Sequence, residues 1–141
     1  MRQQYENNET LKAESDFAKY IEARWDCEMK KMHKHHIIDF MLTRNKEAKA
    51  WVEVKCLNRK RNDFPIVILS LSKFMKGVEY YNTTGLPFFF AIKMEDVSMY
   101  YMYNPQQPKP VIIWGGRTKT TRDKYDIEPI VQIPMVFFEE L

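Results

Sequence analysis

The chain is short of glycine, cysteine and histidine. Four glycines in 141 residues, 29% charged residues and no repeat or low-complexity tract exclude a fibrous or disordered chain. Cys27 and Cys56 match no paired spacing, so no disulfide framework is expected and reduced thiols fit an intracellular protein. The three histidines, His33, His35 and His36, lie near Cys27 without tetrahedral zinc spacing. Beside lysines they read as positive surface or as a strand cap. No segment reaches the apolar length of a membrane span, and Met1 to Asn8 lack the apolar stretch of a secretory signal. The expected location is the cytoplasm, that of a host if the gene is a phage's. Gly115-Gly116-Arg117 is too short for a phosphate loop.

What is present supports a core. At 45% hydrophobic and 14% aromatic, residues 1–141 read as one compact domain. The net charge of +3 is compatible with nucleic acid without specifying it. Distribution says more: basic residues gather at Lys30 to Lys34, at Arg59-Lys60-Arg61 and from Arg117 to Lys124.

Apolar residues at Leu11, Phe17, Ala18, Ile21 and Trp25 predict a helix over 9–25, capped by Asn7 or Asn8. Glu14 falls one turn before Phe17 and Ala18, on or beside the buried face. Strands are predicted at His36–Thr43 and Lys49–Leu57, joined by a short polar loop. With Asn45, Lys46 and Glu47 as that loop, Arg44 faces Ala48 and Asp39 stands opposite Glu53. Strand alternation puts Trp51, Glu53 and Lys55 on one face and Val52 and Val54 on the other. Two opposed carboxylates repel, so a fold that keeps them protonates one or binds a cation between them. A register slip of one residue destroys the arrangement.

Downstream, Pro65 to Leu69 predicts a short strand, and Ser70 or Ser72 caps a helix carrying Leu71, Phe74, Met75, Val78 and Tyr81 on one side. Thr83-Thr84-Gly85 ends it. Leu86 to Ile92 reads as a central strand covered on both faces, with 97–103 as its neighbour. Further strands are expected at 111–114 and 130–134, and 135–141 as an edge segment or short helix. The order implies an α/β or α+β fold, a mixed sheet flanked by helices.

Asp39, then Glu53-Val54-Lys55, behind an acid-bearing first helix, resembles the PD-(D/E)XK, or restriction-endonuclease-like, nuclease superfamily. There a helix often carrying Glu precedes a hairpin bearing Asp and Glu-x-Lys, then a helix, then strands. Residues from Glu14 to about Tyr103 follow that order, with Ile38 where the family often has proline. The resemblance implies that Asp39, Glu53 and the Val54 carbonyl bind Mg²⁺ or Mn²⁺, and that Lys55 positions or deprotonates the attacking water. Hard oxygen ligands suit those ions. Glu14 would join the site, and Lys73 would stand where the virus-type replication-repair branch commonly has Gln. Arg59, Lys60 and Arg61, just after the catalytic strand, would contact DNA phosphates. The implied function is a Mg²⁺-dependent DNA endonuclease acting on branched or repair intermediates, like a Holliday-junction resolvase, and a homodimer by analogy. The alternatives are a non-catalytic DNA-binding or assembly protein with the same fold, or an unrelated domain in which Lys55 merely neutralises Glu53. Trp51 would either stack on a base or shield one end of the sheet.

Overall fold

A computed structural model describes residues 8–116 and 127–141. The basic stretch from Arg117 to Lys124 and the candidate cap Asn7 lie outside the described residues. The elements run α1 (Asn8–Trp25), β1 (Glu28–Lys31), β2 (Phe40–Arg44), β3 (Glu47–Cys56), β4 (Ile66–Ser70), α2 (Leu71–Thr84), β5 (Phe88–Lys93), β6 (Ser98–Met102), β7 (Val111–Gly116), β8 (Ile127–Pro134), a 3₁₀ turn (Met135–Phe137) and β9 (Phe138–Glu140).

A six-stranded sheet has the order β1-β2-β3-β5-β6-β9, and a small sheet the order β4-β8-β7. β3 and β5 are parallel, while the other neighbours in the large sheet are antiparallel. On one face α1 buries Phe17, Ala18 and Ile21 against Phe40, Leu42, Ala50, Val52 and Val54. On the other, Phe88, Phe90 and Ile92 pack with Phe74 of α2 and with Val67, Leu69, Val131 and Ile133 of the small sheet. β5 is thus covered on both sides, which is why it reads as an uninterrupted apolar run. Among the described residues no helix is long and apolar enough to cross a membrane.

The hairpin turn differs from the sequence reading. Only Asn45 and Lys46 form it, both at positive φ (52° and 66°), so Arg44 faces Glu47 rather than Ala48. Two successive positive φ values match the twist of the flanking strands, as in a type I′ turn. A bulge between Leu42 and Thr43 then takes up one residue, so that Leu42 faces Ala50, Met41 faces Trp51 and Phe40 faces Val52. One step further along this register Asp39 stands across from Glu53. The three-residue loop and the two-residue turn with a bulge lead to the same register at that end. The first strand is also shorter than expected: it starts at Phe40, not His36. β1 was not anticipated because its sequence, Glu-Met-Lys-Lys, buries only Met29.

α2 starts where Ser70 Oγ accepts from the Lys73 amide and stops at Gly85, whose φ of +75° lets its N–H reach the Tyr81 carbonyl. Between them Gly77 faces β5 so closely that a Cβ there would overlap the Phe88 ring. The missing side chain sets how near α2 lies to the sheet. The C-terminal segment is both things the sequence allowed, a 3₁₀ turn followed by an edge strand beside β6.

Gly77→Ala is expected to destabilise the protein by about 1–2 kcal/mol, overpacking against Phe88 outweighing the better helix propensity of alanine. Urea midpoints at unchanged m-value test it. Lys46→Gly relieves a left-handed residue and is expected to stabilise by about 0.5 kcal/mol, the gain reduced by glycine's unfolded-state entropy. The same urea titration reads it.

Candidate active site

β3 brings two chemistries to one edge. The Trp51 amide donates to the Pro87 carbonyl at 2.9 Å and the Leu57 amide to the Lys93 carbonyl at 2.8 Å, so odd-numbered residues turn their main chain toward β5. Val54 therefore turns its N–H and C=O the other way, toward the side where β2 has already ended. An unpaired main-chain pair at a half-buried edge is costly. Asp39 fills the gap: its Oδ2 accepts from the Val54 amide at 3.3 Å, and its own amide donates to Glu53 Oε1 at 3.3 Å. These reciprocal bonds tie the two acids together across the missing rung.

Glu53 is 1% exposed and, among the described residues, the one charged residue buried in the core. Burial is the main force that pushes its carboxyl up to about 8; the Lys73 ammonium opposes the shift and the Asp39 charge adds to it. Lys73 Nζ lies 2.6 Å from Glu53 Oε2. Burial pulls this ammonium down, but the Glu53 and Asp39 charges outweigh it, and the net direction is up. Lys73 is thus held charged beside a carboxyl that keeps its own proton up to about 8.

Lys55 behaves differently. It shares the Glu53 face, yet its Nζ donates to the Ile68 carbonyl of β4 at 3.1 Å instead of pairing with the acid. Burial first, and then the positive charge of Lys73, depress its pKa. The two lysines are electrostatically distinct, one fixed as a cation and one eased toward the neutral amine. That division could not be read from a Glu-x-Lys triplet.

Glu14 comes from α1, on the opposite face of the sheet. Its charge raises the pKa of Lys73 and of Cys56 only as a minor effect, behind closer groups and burial. Glu22 is engaged elsewhere, its Oε2 accepting from the Met29 amide at 2.8 Å. Lys31 is the residue the sequence reading missed. Its Nζ sits 3.9 Å from Asp39 Oδ1 and 5.0 Å from the centroid of the Phe40 ring. The basic run from Lys30 to Lys34 does not single it out, and only the pairing of Lys31 with Phe40 across β1 and β2 reveals its position.

The basic triplet after β3 divides. Arg59 donates to the Ile66 carbonyl at 2.6 Å and lies over Phe64, so its guanidinium braces the loop. The Lys60 and Arg61 amides donate to the Asp63 and Asp96 carboxylates, the Lys60 carbonyl accepts from the Asp63 amide, and both side chains are exposed. Among the described residues no three of His, Cys, Asp and Glu gather as a protein-only metal cage. Mg²⁺ needs no such cage, since it keeps several waters and takes one or two carboxylates. Asp39, Glu53 and the Val54 carbonyl form an all-oxygen set of that kind, and the Lys73 ammonium on Glu53 already marks a place for a cation. The donor set fits the metal.

Comparison with known proteins agrees with the fold. The Holliday junction resolvase Hjc of the archaeal hyperthermophile Archaeoglobus fulgidus superposes with a TM-score of 0.59 over 95% of this chain and 93% of that one, at 14% identity. At that identity the likeness shows a shared fold, the restriction-endonuclease-like one. No curated protein matches the sequence. All of residues 1–141 match the family described as "Phage putative PDDEXK endonuclease". The chain belongs to that family.

Proposed function

We propose that the protein is a single-domain, divalent-metal-dependent DNA endonuclease whose reaction centre is Asp39, Glu53 and Lys55. The observation that carries this reading is the convergence of two carboxylates and a free-edge carbonyl where β2 ends, with a cation already drawn to Glu53. When bound, Mg²⁺ or Mn²⁺ supplies Lewis-acid polarisation of the scissile phosphate and acidifies a water.

The chain's own residues do the rest. Asp39 and Glu53, cross-braced by main-chain bonds, hold the metal-facing oxygens in place, and the Val54 carbonyl completes the set. Lys73, whose ammonium stands 2.6 Å from Glu53 Oε2, would offer its charge to a phosphate oxygen where Asp39 and Glu53 hold the ion. Lys55, with its depressed pKa, accepts or steers the proton of the attacking water. Glu14 adds a minor negative charge from α1. Lys31, Lys60 and Arg61 provide exposed positive charge for the DNA backbone. The resolvase with the same fold acts on Holliday junctions; by that analogy branched DNA is the substrate class to test and a homodimer the expected form.

With linear, single-stranded, flapped and four-way-junction DNA, cleavage is expected in Mg²⁺ or Mn²⁺ and not in EDTA. Glu53→Gln and Lys55→Ala should each lower the rate by about 10²-fold or more. Variants cutting at the parent rate would remove these residues from the mechanism.

The buried acid also predicts a stability signature. Folded Glu53 titrates near 8, whereas the unfolded carboxyl returns to its ordinary 4.5. Between these values the folded protein holds a proton that the unfolded chain has released, so this group lowers stability as pH rises and the cost levels off above about 8. Metal-free Glu53→Gln should therefore match the parent near pH 4.5 and melt above it at about pH 9, by about 3–4 °C for each kcal/mol relieved. Thermal melts in EDTA across that range check the sign. Equal melting at high pH would show that Glu53 carries no such penalty.

A further inference from the structure

One rung of the hairpin away from the acids stands an aromatic cluster that the hydrolytic reading leaves unused. Trp51 precedes Glu53 by two residues on the same face of β3, about 7 Å along the strand, and faces Met41, which follows Asp39 by two. Tyr80 follows Lys73 by seven residues, so α2 turns both toward the same side, Lys73 onto Glu53 and Tyr80 onto Trp51. The Trp51 and Tyr80 rings lie 4.8 Å apart, centroid to centroid, at 57°.

The polar ends of both rings are tied off within the protein. Trp51 Nε1 donates to Thr84 Oγ1 at 3.1 Å, Thr84 Oγ1 donates to the Tyr80 carbonyl at 2.7 Å, and the Tyr80 hydroxyl shares a 3.2 Å hydrogen bond with His36 Nδ1. Both rings pack in part against the core and are half-buried, so each keeps some of its aromatic carbon surface at solvent while its polar end is engaged. Beside them runs the loop from Met32 to Asp39, closed by a 2.8 Å bond from the Met32 amide to the Asp39 carbonyl, with exposed Lys34 and His36. An aromatic surface flanked by an exposed lysine is the physical pattern of single-strand recognition, in which bases stack and phosphates are neutralised. A duplex offers its bases to such a surface only after unstacking, at a cost of a few kcal/mol.

We infer that Trp51 and Tyr80 form a stacking platform for one unpaired nucleobase of the strand lying in the Asp39–Glu53 site. Accepting the nuclease reading on which this rests, the substrate class becomes DNA with an unpaired nucleotide next to the cut. A tryptophan that only shields the end of the sheet would be indifferent to the base.

The test measures binding by fluorescence anisotropy in EDTA, with three labelled probes: a flapped duplex, the same flap carrying an abasic nucleotide at each junction-proximal position in turn, and a blunt duplex. With the wild-type chain, one abasic position is expected to weaken flap binding about tenfold. Trp51→Ala should lose that sensitivity while binding blunt duplex within about twofold of wild type, and Trp51→Phe should retain most of it. Wild-type protein that binds intact and abasic flaps alike, a result requiring no variant to fold, overturns the platform, as does a Trp51→Ala chain weakened equally on flap and duplex. A parallel digest of the same probes in Mg²⁺ separates the two readings. Cleavage without an abasic effect sinks the platform alone, whereas no cleavage of any probe sinks the nuclease reading.

Discussion

A carboxylate with almost no exposure, set between two packed faces, cannot remain charged without a cation, and that requirement organises the site around Glu53. In the metal-free chain the cation is Lys73, delivered by α2, whose height above the sheet is set by the absent side chain of Gly77. The acid, its counterion and the helix that carries it form one electrostatic unit. Its cost in stability is of the kind found at functional sites, where a charge is kept in a place that packing alone would not choose.

The second acid reaches its place by ending a strand early. β2 stops at Phe40, and the main-chain groups of Val54 that would have paired with a longer strand meet the Asp39 side chain instead. The interruption does two things at once. It satisfies a buried amide with a carboxylate, and it turns a carbonyl toward the same edge as two acidic side chains. Lys73 reaches Glu53 from the α2 face of the sheet, while Glu14 stands on α1 across it.

Much of this was legible in the residues. The Asp39, Glu53 and Lys55 pattern, the helix that carries Lys73 and the doubly covered strand β5 all follow from periodicity and spacing, because local patterning reports which face is buried. The hairpin was legible in its register but not in its turn: two residues at positive φ plus a bulge count the same as a three-residue loop, and nothing local distinguishes Lys46 as left-handed. β1 escaped notice because a strand with a single buried side chain carries no alternation to detect. With it went Lys31, whose distance to Asp39 depends on strand pairing across eight intervening sequence positions.

The sequence by itself determined the chemical inventory, since which residues share a strand face follows from a period of two, and its resemblance pointed to the family. Tertiary structure alone decided the partners. Whether Glu53 would pair with Lys55, its neighbour on the strand, or with Lys73, twenty residues away, depends on where α2 lands, and packing against Phe88 brings Lys73 to the acid while Lys55 turns to the Ile68 carbonyl. Likewise Arg59, equivalent in sequence to Lys60 and Arg61, is committed to a carbonyl and an aromatic ring by the fold of its own loop. Charge can be read from a chain, but what that charge opposes is a matter of three-dimensional distance, because Coulomb energy follows separation and dielectric rather than residue number.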